Sequence, residues 1–158
     1  MASGDSRAAF TDVDGSNLRF AIISTRWNVE IVSRLAAGAE RGLAQLGINN
    51  PVHFSVAGAF ELPFAAKTVA ESGTVDGIVV VGAVIRGETT HYELVAGECG
   101  RGIMDVQLST GIPIGMGVLT VENVTQANAR SENAGGHNVG EEAAHAAVEL
   151  AAISVSFQ

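Results

Sequence analysis

The sequence is short of several things, and each shortage excludes something. A single cysteine, Cys99, among 158 residues rules out a disulfide framework. It falls at an inward position of an expected helix and reads as a buried thiol. Basic residues are scarce: Lys and Arg together number 9 against 17 Asp and Glu, for a net charge of -8. With no basic run, the chain has no electrostatic footprint for nucleic acid or for an anionic membrane surface. Lys67 is the only lysine and lies within an expected helix, away from every strand end, so a Schiff-base mechanism has no candidate. No apolar run is long enough for a membrane span, and no secretory leader is evident, so the cytoplasm is the expected compartment. Charged residues make up only 16% and hydrophobic ones 47%, which predicts one domain with much of its surface buried, in part against other subunits.

What is present alternates. Residues 1–17 are small, polar and acidic, and read as a flexible segment in which residues 8–10 can form a short extended stretch; residues 18–158 form the domain. Leu18 to Ser24 reads as a first core strand, and a helix follows the Thr25-Arg26-Trp27-Asn28 turn to Leu46. Val52 to Val56 alternates apolar residues with His53 and Ser55, predicting a strand with one wetter face. Ala57 to Pro63 turns into a helix ending near Ser72, with Pro63 suited to its first turn. Residues 77–85 are an apolar, β-branched block that predicts a strand buried on both faces. After them, positions 95, 99, 102, 103 and 106 have helical spacing. That helix carries Gly97, Gly100 and Gly102, each costing about 1 kcal/mol relative to Ala, which predicts close approach to a neighbouring backbone. A last strand spans 112–119 and a short helix runs to Arg130. Asn138 caps a final helix that reaches about Val155. His137 and His145 have no partner at metal-ligand spacing.

Strands alternating with helices predict an α/β fold: a three-layer αβα sandwich around a four-stranded parallel, flavodoxin-like sheet. In such sheets ligands bind beyond the carboxyl ends of the strands. Trp27, Phe60, the turn from Arg86 to His91, and Met116 to Thr120 all fall there. The turn joins a strand's end to a helix's start, where free N–H groups and the helix dipole favour an anion. Gly87 permits close approach and Thr89 adds a hydroxyl. His91 sits at the rim, either as a proton carrier or as a surface residue beside a Thr cap.

Four strings carry a resemblance: Arg26-Trp27-Asn28; Gly58-Ala59-Phe60-Glu61-Leu62-Pro63; Gly82 to His91 with its Gly-Glu-Thr-Thr-His; and Gly117-Val118-Leu119-Thr120 followed by Glu122-Asn123, Gln126-Ala127 and Arg130. In this order they resemble the lumazine synthase family of riboflavin biosynthesis, over roughly residues 18–151. The resemblance implies condensation of 5-amino-6-ribitylaminouracil with 3,4-dihydroxy-2-butanone 4-phosphate. The product is 6,7-dimethyl-8-ribityllumazine, with phosphate and two waters released and no cofactor or metal needed. It implies that Trp27 stacks on the pyrimidine beside Asn28. Ala59, Phe60, Glu61, Ala83, Val84, Ile85 and Met116 would hold the ring and ribityl chain. Gly87, Glu88, Thr89 and Arg130 would hold the phosphate, and His91 would move protons. It further implies a ring of subunits, a homopentamer, in which Arg130 comes from the adjacent subunit and an N-terminal strand joins a neighbour's sheet.

The chain departs from the family's pattern in three places. Met116 stands where many members have an aromatic residue. Val139 follows Asn138 where a Lys is usual. Glu88 puts a carboxylate beside the phosphate, so its side chain must point outward. These departures keep open a non-catalytic relative that binds a flavin precursor. A flavodoxin-like electron carrier is disfavoured, because the Thr25 to Asn28 turn is too bulky for its phosphate loop. The 131–138 segment is longer and more acidic than the compact turn of shell-forming members, which predicts a pentamer that does not close into a shell.

Overall fold

The computed structural model describes Ala9 and residues 11–158; most of the expected extended stretch at 8–10 lies outside the described residues. Strands β1 (Phe20–Thr25), β2 (Val52–Val56), β3 (Gly77–Ile85) and β4 (Ile114–Val121) alternate with helices α1 (Val29–Gln45), α2 (Leu62–Glu71) and α3 (His91–Thr110). A short α4 (Val124–Ala129) and a long α5 (Val139–Ser156) complete the chain. The strands pair in parallel in the order β2-β1-β3-β4. The α/β sandwich read from the sequence is therefore the architecture observed.

The two-residue period of the central strands divides the core. Phe20 and Ile22 of β1 and Val79 and Val81 of β3 face α1 and α5. Ala21, Ile23, Ile78 and Val80 face α2 and α3, where they meet Leu62, Cys99 and Ile103. Cys99 is fully buried, and burial pushes its thiol up to about 11, so it stays protonated at neutral pH. The edge strand β2 differs from expectation. It was expected to have one wet face, but both are open: Val52 and Phe54 are 52% and 45% exposed, and His53 and Ser55 are exposed as well. At the sheet's edge it lies beyond the helices of its own chain, so alternation alone cannot bury it.

On one face α5 packs against α1 through small residues. A Cβ on Gly140 would overlap the Leu35 carbonyl, and one on Gly38 would overlap the Asn138 side chain. Buried Asn138 uses this closeness. Its Oδ1 accepts from Glu141 N–H (3.1 Å) to cap α5, and its Nδ2 donates to the carbonyls of Arg34 and Glu132 (2.9 Å each). Gly140→Ala gains about 1 kcal/mol of helix propensity, but overpacking against a backbone carbonyl costs about 1–3 kcal/mol or more. The expected outcome is a net loss of about 1–2 kcal/mol in urea unfolding at an unchanged slope; a stabilised variant would show that the two helices are not in tight contact.

Candidate active site

The sheet order reverses between β1 and β3. Their crossovers leave in opposite directions and open a gap beyond their carboxyl ends. A cleft of about 600 Å³ lies there. Its first wall is the turn after β1. Asn28 holds the left-handed conformation (φ 57°, ψ 53°) that Asn tolerates better than most residues, and it starts α1. Its Nδ2 points to the Ala83 carbonyl at 3.4 Å, tying the turn to β3. This turn presents Trp27 71% exposed to the cleft. The indole lies close to Gly58, where a Cβ would come within 3.2 Å of Cδ1 and would press the ring outward by a few tenths of an ångström.

The second wall is a 3-10 turn, Ala59–Glu61, that carries half-open Phe60 and the exposed Glu61 carboxylate. Ala83, Val84 and Ile85 at the end of β3 form the floor. Gly87, Thr89 and His91 close the far side, with Tyr92, Leu94 and Val95 from the first turns of α3. The cleft therefore gathers eleven of the residues singled out in the sequence: Trp27, Asn28, Ala59, Phe60, Glu61, Ala83, Val84, Ile85, Gly87, Thr89 and His91. Gly58, Tyr92, Leu94 and Val95 join them. Helical spacing marks Val95 as core, and its place near the helix start is what turns it partly to the cleft.

The 86–90 turn is suited to an anion. Among the described residues, the N–H groups of Gly87, Glu88 and Thr89 donate to no protein group, and the amino end of α3 points the same way. Thr89 Oγ1 accepts from the His91 N–H at 3.3 Å, folding the turn back at the start of the helix. Glu88 is exposed and outside the cleft lining. His91 is exposed at the junction of this turn and the apolar cleft, within reach of both.

Arg86 was not among the residues singled out, yet it anchors the turn. Its N–H donates to the Val121 carbonyl (2.9 Å) and its Nε to Glu122 Oε2 (2.7 Å), while Nη1 bonds Glu93. Its guanidinium also lies 4.3 Å from the Tyr92 ring centroid. The hydrogen bond from Arg86 holds the Glu93 carboxyl below its ordinary range. Such exposed pairs each add little to stability, because solvent screens them. Here one ordered side chain serves all of them, so its ordering entropy is spent once and its position is well defined.

Besides Glu88, two residues named from the sequence lie outside the cleft lining. Met116 lies on β4, 37% exposed and outside the cleft. Arg130, just beyond α4, donates from Nη1 to the Gln126 carbonyl (2.9 Å) and does not line the cleft either. Ser131 and Asn138 bridge behind it, and Arg34 donates to the Ser131 carbonyl (2.8 Å) and to Asn128 Oδ1 (2.7 Å). Val139 is half-buried against the core, and its N–H donates to the Arg130 carbonyl at 2.9 Å. Lys67 pairs with Glu71 on α2 (3.9 Å), away from the cleft. Among the described residues no three His, Cys, Asp or Glu side chains gather as metal ligands would, and no helix is long and apolar enough to cross a membrane.

Comparison with known proteins matches this arrangement to one family. The family model described as 6,7-dimethyl-8-ribityllumazine synthase matches residues 17–154. A protein of that name from Xanthomonas euvesicatoria is 49% identical over 141 residues, 88% of this chain and 91% of the relative. Those of Deinococcus deserti and Deinococcus radiodurans are 48% and 46% identical, over 85% of this chain and 86% and 88% of their own lengths. A match over nearly the whole folded domain, by sequences sharing close to half their residues with it, makes the chain a member of the 6,7-dimethyl-8-ribityllumazine synthase family.

Proposed function

We propose that the protein is an enzyme of riboflavin biosynthesis acting in the cytoplasm. It condenses 5-amino-6-ribitylaminouracil with 3,4-dihydroxy-2-butanone 4-phosphate to 6,7-dimethyl-8-ribityllumazine. The observation that carries this reading is the position of His91, between an aromatic-edged cleft and a turn with free N–H groups. Trp27 stacks on the pyrimidine. Glu61 and the backbone of residues 59–61 and 83–85 orient the ring and ribityl chain. The N–H groups of Gly87, Glu88 and Thr89 hold the phosphate. The pyrimidine amine attacks the ketone of the second substrate, and loss of water leaves an imine. A proton is then removed beside it and phosphate leaves. The enol left at the neighbouring carbon tautomerises to a new ketone, and attack of the ribitylamino nitrogen on that ketone, with loss of another water, closes the ring. His91 takes and returns protons in these steps. Much of the acceleration comes from holding two substrates in register, for which effective molarities reach about 10⁵–10⁸ M.

Met116 and Arg130 lie outside the cleft of their own chain, so we assign them to the cleft of an adjacent copy, where Arg130 pairs with the phosphate. The assembly is a cyclic homopentamer. Supporting this, α3 exposes Leu94, Met104 and Leu108, and β2 exposes Val52 and Phe54. Among the described residues, a Cβ on Gly97 or Gly100 meets nothing within 4 Å, while Gly102 is accounted for by Pro63. Two glycines that each give up about 1 kcal/mol of helix stability with no return among those residues are explained by a partner's approach.

Incubating purified protein with both substrates tests the activity. Lumazine is expected well above the uncatalysed rate, and His91→Ala is expected to lower kcat by about 10–10³-fold with pyrimidine affinity nearly unchanged. Tight substrate binding without product would identify a binding protein instead. For assembly, light scattering at moderate salt is expected to give a ring of about five chains, or two stacked rings. The acidic 131–138 segment, whose exposed Glu132 packs on Gly136, repels further copies. A particle of about sixty chains would contradict the open assembly, and a monomer would contradict the shared site.

A further inference from the structure

Arg86 lies outside the cleft lining and is committed to two carboxylates and a ring, so it is not itself a phosphate ligand. What it touches is informative. On one side are Tyr92 and Glu93, in the first turn of the helix that begins with His91. On the other is Glu122, at the end of β4. The Glu122 N–H donates to Gln126 Oε1 (2.8 Å), and the Gln126 N–H to Asn123 Oδ1 (2.9 Å). The carbonyl of the same Gln126 accepts from Arg130 Nη1 (2.9 Å). Hydrogen bonds thus link Arg86 to Glu122, Glu122 to Gln126 and Gln126 to the Arg130 guanidinium, residue by residue. The two ends have different destinations. The turn belongs to this chain's cleft, whereas Arg130 does not reach it.

We propose that Arg86 is a positioning residue for two active sites at once: it sets the 87–91 turn in its own chain, and through Glu122 and Gln126 it sets the Arg130 lent to the neighbouring chain's phosphate. This rests on the reading of Arg130 as shared between copies. Arg86 also has an electrostatic part in both sites. It neutralises Glu93 and Glu122, two carboxylates whose charge beside the turn would otherwise be uncompensated.

Mixed rings distinguish this from a purely local role. Arg130→Ala chains are co-assembled in equal amounts with His91→Ala chains. Some sites then combine an intact turn with an intact Arg130, so about one quarter of wild-type activity returns if sites are shared. Absence of that recovery overturns the shared site itself. Arg130→Ala chains are then mixed with Arg86→Ala chains and assayed below saturation in the phosphate-bearing substrate. No recovery is expected, because the Arg130 supplied by an Arg86→Ala chain is misplaced. Recovery to about one quarter overturns the proposal. Should Arg86→Ala chains fail to assemble, Glu122→Gln chains take their place: recovery is expected with His91→Ala partners and not with Arg130→Ala partners, and the opposite pattern overturns the proposal. In Arg86→Ala rings alone, KM for the phosphate-bearing substrate is expected to rise about ten-fold with pyrimidine affinity, read from Trp27 fluorescence, unchanged. A parallel loss of both affinities would mark Arg86 as merely structural.

Discussion

The pairing of β1 with β3 governs the rest of the structure. Both are central, buried on both faces and joined in parallel from Phe20–Gly77 to Ser24–Val81. Parallel pairing brings their carboxyl ends to one edge, and opposite crossovers leave a gap between them that no helix of the chain fills. Every feature of the cleft hangs on that edge: Trp27 and Asn28 follow β1, and the anion turn with His91 follows β3. The bond from Asn28 to the Ala83 carbonyl closes the gap at its base without blocking its mouth.

A second constraint is that one chain leaves its surface unfinished. The β2 edge and the outer face of α3 with Gly97 and Gly100 find too little among the described residues to explain them. Covering the apolar surface and completing the phosphate site are the same step if copies meet there. Catalysis and assembly would then be selected together. On the proposed reading, the Arg86–Glu122 link would give that union a physical form, joining the turn assigned to one phosphate to the arginine assigned to the next.

Much of this was legible in the sequence. The β-branched run at 77–85, the helical spacing from residue 95 onwards and the Asn138 cap mark elements that formed within a few residues of expectation, because burial and local capping favour the same structure. The turn at Arg86–Thr90 was readable because glycine and hydroxyl residues at a strand-to-helix junction have few other uses. The exposure of β2 was not, since alternation reports which residues share a face and not whether a helix covers it. Nor was the role of Arg86, whose partners Glu93 and Glu122 lie seven and 36 positions away and meet only once β3, α3 and β4 are packed. Gly58 carries no local signal either; its closeness to the Trp27 ring arises only once the two turns are packed together.

The central claim is that the gap between β1 and β3 receives the ribitylaminopyrimidine. Trp27 is the only tryptophan and stands at that gap, so its emission reports on the site directly. Titrating the pyrimidine substrate alone into the assembled protein should quench that emission saturably at about one ligand per chain, through stacking on the indole. Binding detected by calorimetry with Trp27 emission unchanged would place the ligand elsewhere and contradict the account.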